Sequence, residues 1–120
     1  MNLTKSDLYK DIIERFNSKR LPYAIIKNYE TFPSVVNDLD LIADFSQIKN
    51  FIEEIKNYAK ENKLIFIIDN HSYSRRNYYK FYIFHIFGCS EENKTIINAR
   101  IELFNGFYTG GILLFDSYSI

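Results

Sequence analysis

The stretch Asn37-Asp38-Leu39-Asp40-Leu41-Ile42 decides the fold, since it reads as a buried strand that carries two carboxylates. Successive strand side chains point to opposite faces, so Asp38 and Asp40 share one face. Their Cα atoms would lie roughly 6.5–7 Å apart, which lets both side chains reach one cation, or two cations roughly 3.5–4 Å apart. Because two unpaired anions repel each other, a divalent ion is the least strained partner for the pair. The alternative is a strand end with both aspartates solvated, and the spacing alone leaves the two open.

The composition is that of one globular domain over residues 1–120, with 47% hydrophobic and 25% charged residues. The 15 basic residues equal the 15 acidic ones, whereas proteins that bind the nucleic-acid backbone usually have a basic excess, so duplex binding is disfavoured. One cysteine, Cys89, excludes an internal disulfide, and no apolar run approaches the ~20 residues of a spanning helix. We therefore expect a cytoplasmic protein with no membrane span.

Hydrophobic periodicity predicts the elements on either side of the opening stretch. Apolar residues at helical spacing predict helices over residues 4–18 and about 44–61, with Thr4 and Asp7 as a weak capping box and Asp44 or Ser46 as the second N-cap. Apolar or alternating runs predict strands over 23–27, 38–43, 64–68, 78–87, 95–104 and 112–115, of which 64–68 is predicted to be covered on both faces. This order indicates an α+β (α/β) fold, a mixed sheet with helices packed on it.

A third acid, Glu102, lies in the apolar run Ile101-Glu102-Leu103 of a predicted strand, where it needs a partner or a cation. If this strand lies beside the strand of Asp38 and Asp40, three carboxylates meet at one edge of the sheet. Carboxylate oxygens, retained waters and substrate phosphates are the ligands that Mg²⁺ prefers. The Lys27-Asn28 turn falls near the same edge, where it offers a cation and backbone N–H groups to a phosphate.

The order of these residues resembles the nucleotidyltransferase superfamily of the DNA polymerase β type. Ile25-Ile26-Lys27-Asn28-Tyr29 ends a strand, a proline-containing loop follows, and the Asp38-Leu39-Asp40 strand comes next. More narrowly, the chain is similar to small bacterial nucleotidyltransferase-like proteins of surface-polysaccharide gene clusters, in which a later strand carries an acid, Leu-Phe and a Gly-rich aromatic segment. Its match here is Glu102-Leu103-Phe104-Asn105-Gly106-Phe107 through Gly110-Gly111, so the resemblance spans roughly residues 23–115.

The resemblance implies that the protein moves a nucleotidyl group from an NTP to an acceptor hydroxyl, small or glycan-related, while pyrophosphate leaves. By that likeness Asp38, Asp40 and Glu102 are the catalytic residues and the ligands of two Mg²⁺ (or Mn²⁺) ions, which stabilise the attacking and leaving oxygens. Three departures from the family pattern bear on turnover more than on fold. The usual Gly-Ser phosphate turn is replaced by Lys27-Asn28, the third acid is Glu rather than Asp, and we expect no room for the extra helical domain that often grips base or acceptor.

Other polar residues have both a functional and an ordinary interpretation. Arg75 and Arg76 form an arginine pair whose forks match a triphosphate or nucleotide-sugar phosphate, and with Lys27 and Asn28 they make up the predicted cofactor-binding set. The alternative for the arginine pair is a solvated loop. His85, on a strand rich in aromatic residues, reads as a core or interface histidine, since it has no partner at metal-ligand spacing.

Three functions therefore remain open on the sequence. The first is the Mg²⁺-dependent nucleotidyltransferase. The second is a catalytically inactive module of the same fold that binds a partner or acts as an antitoxin-like subunit, which the short chain, the missing Gly-Ser turn and the zero net charge favour. The third is an unrelated aromatic-rich α+β domain that assembles through its Tyr/Phe strand, as a homo-oligomer or with another protein.

Overall fold

A computed structural model describes residues 3–25, 38–72, 80–90, 95–109 and 112–116. Within them the chain forms helices and strands in the order α-β-β-α-β-β-β-β-β, with a 3₁₀ turn before the second helix. The elements are α1 Lys5–Ser18, β1 Tyr23–Ile25, β2 Asp38–Ala43, the 3₁₀ turn Phe45–Gln47, α2 Ile48–Glu61, β3 Ile65–Ser72, β4 Lys80–Ser90, β5 Thr95–Phe104, β6 Gly106–Thr109 and β7 Ile112–Asp116.

The first five strands form one mixed sheet in the order β1-β2-β5-β4-β3. Only the central pair, β2 and β5, is parallel, and the other neighbours are antiparallel. A parallel pair needs a long crossover, and here α2, β3 and β4 lie between the two strands along the chain. Strands β6 and β7 form a separate two-stranded sheet. The predicted class, an α+β fold with a mixed sheet and helices packed on it, is confirmed.

Both ends of α1 are fixed by local hydrogen bonds. The Thr4 side chain accepts from the Asp7 backbone N–H at 3.1 Å, and the Asp7 carboxylate accepts from the Thr4 N–H at 3.2 Å, which confirms the predicted capping box. The hydrogen bonds from Thr4 lower the pKa of Asp7. At the other end, the N–H of Leu21 donates to the Phe16 carbonyl at 2.9 Å after Arg20 adopts a left-handed conformation, φ 56°.

The second helix repeats this ending without a glycine. The N–H of Leu64 donates to the Ala59 carbonyl at 2.8 Å, and Lys63 takes the left-handed position with φ 57°. At its start, the Asp44 side chain accepts from the N–H of Ser46 and caps the 3₁₀ turn, so α2 itself begins at Ile48, later than the predicted cap. None of the helices in the described ranges is long and apolar enough to cross a membrane.

The core lies between the two helices and one face of the sheet. Phe16 of α1 meets Phe51 of α2 edge-on with ring centroids 4.9 Å apart, which joins the helices at the centre. The strands contribute alternate residues to this face, as the period of two requires. The fully buried strand residues in this core are Leu39, Leu41, Ala43, Phe84, Ile86, Ala99, Ile101 and Leu103.

Strand β3 differs from its prediction. The apolar run at 64–68 was expected to be covered on both faces, but β3 lies at the end of the sheet, and Ile65 and Ile67 are 62% and 48% exposed. That expectation is wrong, because these two side chains point to the face away from the helices, whereas Phe66 stacks on Phe84 on the helix side. The strand also extends to Ser72, beyond the predicted end.

Candidate functional site

Strand register brings the predicted acids together at the centre of the sheet. The parallel pairing of β2 and β5 sets Asp38 opposite Arg100 and Asp40 opposite Glu102. Partners in a parallel pair point to the same face and lie about 4.8 Å apart, so the four side chains form a two-by-two set on one face. We call Asp38, Asp40, Arg100 and Glu102 the polar block.

The apolar residues around the polar block explain why it faces away from the helices. Leu39 and Leu41 on β2, and Ile101 on β5, are fully buried against the helices. A slip of one residue would turn these side chains outward and drive charged groups into the core, so the alternation fixes the register. The condition set by the sequence, that the strand of Glu102 lies beside the strand of the two aspartates, is therefore met.

Burial and charge differ among the members of the polar block. Asp38 is exposed, whereas only 5% of Asp40 is accessible. Glu102 is engaged, because its Oε1 atom lies 2.6 Å from Nη2 of Arg100, and the two side chains are 16% and 42% exposed. The block has three acids and one base, so its formal charge is negative. Arg100 is its cation, and it partly neutralises the acids.

Tyr9 of α1 supports the polar block from the helix side. Its buried hydroxyl accepts from the backbone N–H of Arg100 at 3.1 Å and donates to the carbonyl of the same residue at 3.2 Å. The pKa of Tyr9 is raised to about 12: burial raises it most, the hydrogen bonding with Arg100 lowers it, and the charges of Asp38 and Asp40 raise it. The phenol is therefore held neutral, and it fixes the backbone of β5 beside Asp38.

Tyr9 is a residue that the sequence reasoning missed. It falls at helical spacing with Ile12, Ile13 and Phe16 on the buried face of α1. A tyrosine on such a stripe has a hydroxyl that needs a partner when it is buried, and this was the available signal.

The face that carries the polar block continues into apolar strands. Across β5, Ile83 of β4 lies opposite Glu102 and His85 lies opposite Arg100. His85 is half-buried, and its ring stacks on that of Phe87 with the ring centroids 6.2 Å apart. It lies on the face of the sheet away from the helices, outside the core. This face of the sheet therefore carries a pair of acids next to aromatic and aliphatic side chains.

A second polar cluster lies between the two helices. The Tyr58 hydroxyl donates to Asp11 at 3.0 Å, Arg15 covers the Tyr58 ring at 5.3 Å, and Arg15 also pairs with Glu61. Burial, and then the hydrogen bond to the Asp11 carboxylate, raise the pKa of Tyr58. Asp11, Arg15 and Tyr58 border a groove of about 430 Å³. Because they bind one another, the cluster serves to join α1 to α2.

The metal and phosphate predictions are only partly covered by the structure. Lys27, Asn28, Arg75 and Arg76 lie outside the described residues. Among the residues that are described, no group of three or more His, Cys, Asp or Glu side chains is arranged to hold a metal ion. Asp38, Asp40 and Glu102 have the carboxylate oxygens that Mg²⁺ prefers and share one face of the sheet, but they do not form such a group, and Arg100 already pairs with Glu102.

Comparison with known proteins adds no relative to this geometry. No protein-family model, no curated protein and no solved structure matches the chain. The likeness to nucleotidyltransferases thus stays a prediction from the residue pattern.

Proposed function

We propose that the protein is a Mg²⁺-dependent nucleotidyltransferase that moves a nucleotidyl group from an NTP to the hydroxyl of a small or glycan-related acceptor. The observation that carries the proposal is the register of β2 and β5, because it sets Asp40 beside Glu102 with Asp38 on the same face. Because α2, β3 and β4 separate the two strands along the chain, local sequence does not make them neighbours.

Each acid of the polar block would have a role set by its position. Asp38 and Asp40 would hold the cations and orient the triphosphate, and Glu102 would complete the ligand set and accept the proton of the acceptor hydroxyl. Bound Mg²⁺ ions would supply positive charge to the attacking and leaving oxygens. Because Asp40 is nearly inaccessible to water, its charge would act in a low dielectric, where electrostatic interactions are stronger than in solution.

Calorimetric titration with Mn²⁺ and each NTP tests the binding half of the proposal. We expect saturable binding by the wild type and none by the double variant Asp38→Asn, Asp40→Asn. The matched control is Glu53→Gln, which neutralises an exposed acid on α2. Binding that survives the double substitution, or is lost equally in the control, would refute the site. No binding at all would favour the aromatic-rich domain that assembles through its strands.

One observation favours the alternative of a catalytically inactive module with the same fold. Glu102 is bound by Arg100, so the third carboxylate of the predicted ligand set is not free. Pyrophosphate release in the presence of acceptor hydroxyls separates the two functions. An inactive binding or antitoxin-like module would bind the Mn²⁺-NTP complex without releasing pyrophosphate, whereas the enzyme would do both.

A further inference from the structure

We propose that β3 pairs edge to edge with β3 of a second copy of this chain, antiparallel and about a two-fold axis at Phe66. The protein is then a dimer in which one sheet continues from one copy into the other. The inference goes beyond the proposed function, because the polar block lies on β2 and β5, and β4 separates those strands from β3. Its basis is the open edge of β3 and the sequence of that edge, which is complementary to itself.

The first step is a comparison of the two edges of the five-stranded sheet. The edge strand β1 has three residues, and so short a strand offers few backbone groups to a partner. The edge strand β3 has eight residues and pairs with β4 in an unbroken register, and no described strand pairs with it on its other side. Monomeric proteins block a long edge with proline, lysine or a bulge, and Ile65–Ser72 contains neither proline nor lysine. Of the two edges, β3 is therefore the one open to another strand.

The second step is the apolar surface along this edge. Ile65 and Ile67 are 62% and 48% exposed on the outer face, the face of the sheet away from the helices. Ile68 is 41% exposed on the helix side. Of the four large hydrophobic side chains that are exposed in the described part of the chain, three thus belong to this one strand. Because they lie on both faces, a strand added beside β3 would cover all three, whereas a partner on one face would not.

The third step identifies a second copy of the chain as the partner. The edge and the residues before it read Lys63-Leu64-Ile65-Phe66-Ile67-Ile68-Asp69. In an antiparallel pair, residues directly opposite each other have their side chains on the same face. With Phe66 of both copies on the axis, Ile65 lies opposite Ile67 on the outer face. On the helix side, Leu64 lies opposite Ile68. The apolar side chains of one copy therefore meet apolar side chains of the other.

Charge supports the same register. Lys63, an exposed residue shortly before β3, lies opposite Asp69, an exposed residue of β3, so a cation meets an anion at both ends of the pairing. A shift of the axis by one residue in either direction would instead set an isoleucine opposite one of these charges. A two-fold interface uses the same patch twice, so it requires a patch that complements itself, as this one does.

Sedimentation equilibrium of the full chain tests the pairing. We expect the wild type to have twice the 14.3 kDa mass of one chain at micromolar concentration. Ile67→Lys should raise the dissociation constant of the dimer at least about 100-fold, because it sets an unpaired charge opposite Ile65 on both sides of the axis. The matched control is Ile96→Lys, since Ile96 is 79% exposed on β5, an inner strand, and this variant should stay dimeric. Circular dichroism checks that both variants fold.

Exchange of the two charges tests the register, and it also covers the case in which Ile67→Lys does not fold. Lys63→Glu and Asp69→Lys should each weaken the dimer about tenfold, because each sets like charges opposite one another at both ends of the pairing. The double variant Lys63→Glu, Asp69→Lys restores opposite charges, and its dissociation constant should lie within about threefold of that of the wild type.

Three results would overturn the inference. A wild type that stays monomeric would leave the edge of β3 to a strand of another protein. A dimer that Ile96→Lys disrupts as strongly as Ile67→Lys would have its contact on the outer face and not at the edge. A double charge variant that dissociates as readily as the two single ones would contradict the antiparallel register about Phe66.

Discussion

Asp40 and Glu102 occupy one rung of the sheet, on parallel strands that α2, β3 and β4 separate along the chain. Both side chains are largely shielded from water, and both face away from the helices. The fold therefore places side by side two acids that are far apart in the sequence. Arg100, one of the neighbours on the same face, offsets part of their repulsion.

The two aspartates should differ in their importance for metal binding. Asp38 is exposed, whereas Asp40 is nearly inaccessible and shares its rung with Glu102. Because a charge in a low dielectric is screened less, we expect Asp40→Asn to weaken Mn²⁺ binding at least about tenfold more than Asp38→Asn does. Titration of each single variant with Mn²⁺ and ATP measures the difference. Equal losses would mean that Asp40 is not the central ligand.

Removal of the Tyr9 hydroxyl should destabilise the fold. In Tyr9→Phe, both backbone groups of Arg100 lose the partner that they have in the wild type. We expect a loss of about 1–3 kcal/mol in the free energy of unfolding, measured by urea denaturation. The control is Tyr23→Phe, whose hydroxyl donates to Asn17 at 2.7 Å in an exposed hydrogen bond. A loss in Tyr9→Phe no larger than in this control would show that the two hydrogen bonds do not matter.

The same phenol should make the protein sensitive to alkali. The pKa of Tyr9 is raised from 10.0 to about 12, chiefly by burial, so the folded state holds it neutral where the unfolded chain ionises it. The stability that it contributes is complete below pH 10 and is lost as the pH rises from 10 toward 12. Two pKa units correspond to ~2–3 kcal/mol.

Urea midpoints recorded from pH 8 to 11.5 measure this loss. Burial also raises the pKa of Tyr58 and Tyr23, so the wild type should lose stability steeply over this range. Tyr9→Phe should lose less than the wild type between pH 10 and 11.5, because it no longer has the phenol that burial keeps neutral in the folded state. Parallel curves for the two proteins would contradict the assignment to Tyr9.

Local sequence signals were sufficient for much of the fold. The capping box at Thr4, the bounds of β2 and the ends of β5 follow from residue spacing, and the structure has them as predicted. From the sequence, it could be stated only as a condition that the strands of Asp40 and Glu102 lie side by side. Strand pairing is a long-range property, and no residue near either acid encodes the parallel crossover.

Two further features depended on tertiary structure. An apolar run such as 64–68 is typical of a strand covered on both faces, but only the strand order shows that β3 lies at the end of the sheet. The ion pair of Arg100 with Glu102 was also missed. In a strand, residues two apart share a face, so this spacing was a signal for it.

Glycine should stabilise the protein at the left-handed positions that end the helices. Lys63 has φ 57°, a conformation that costs a residue with a Cβ atom roughly 1–2 kcal/mol relative to glycine. We expect Lys63→Gly to raise the free energy of unfolding by ~1 kcal/mol, measured by urea denaturation. Lys56→Gly, at an exposed position within α2, should instead lower it by ~1 kcal/mol. Destabilisation by both substitutions would argue against the left-handed ending.

The two faces of the sheet should respond differently to loss of an isoleucine side chain. Ile101 is fully buried in the core beneath the helices, so Ile101→Ala should cost about 2–5 kcal/mol through lost burial and a cavity. Ile67 is 48% exposed on the end strand, and Ile67→Ala should cost less than about 1 kcal/mol, because water already reaches half of that side chain. Urea denaturation of the two variants measures both changes against one wild type. Similar losses would mean that the outer face of β3 is covered in solution, as a second copy or a partner protein would cover it.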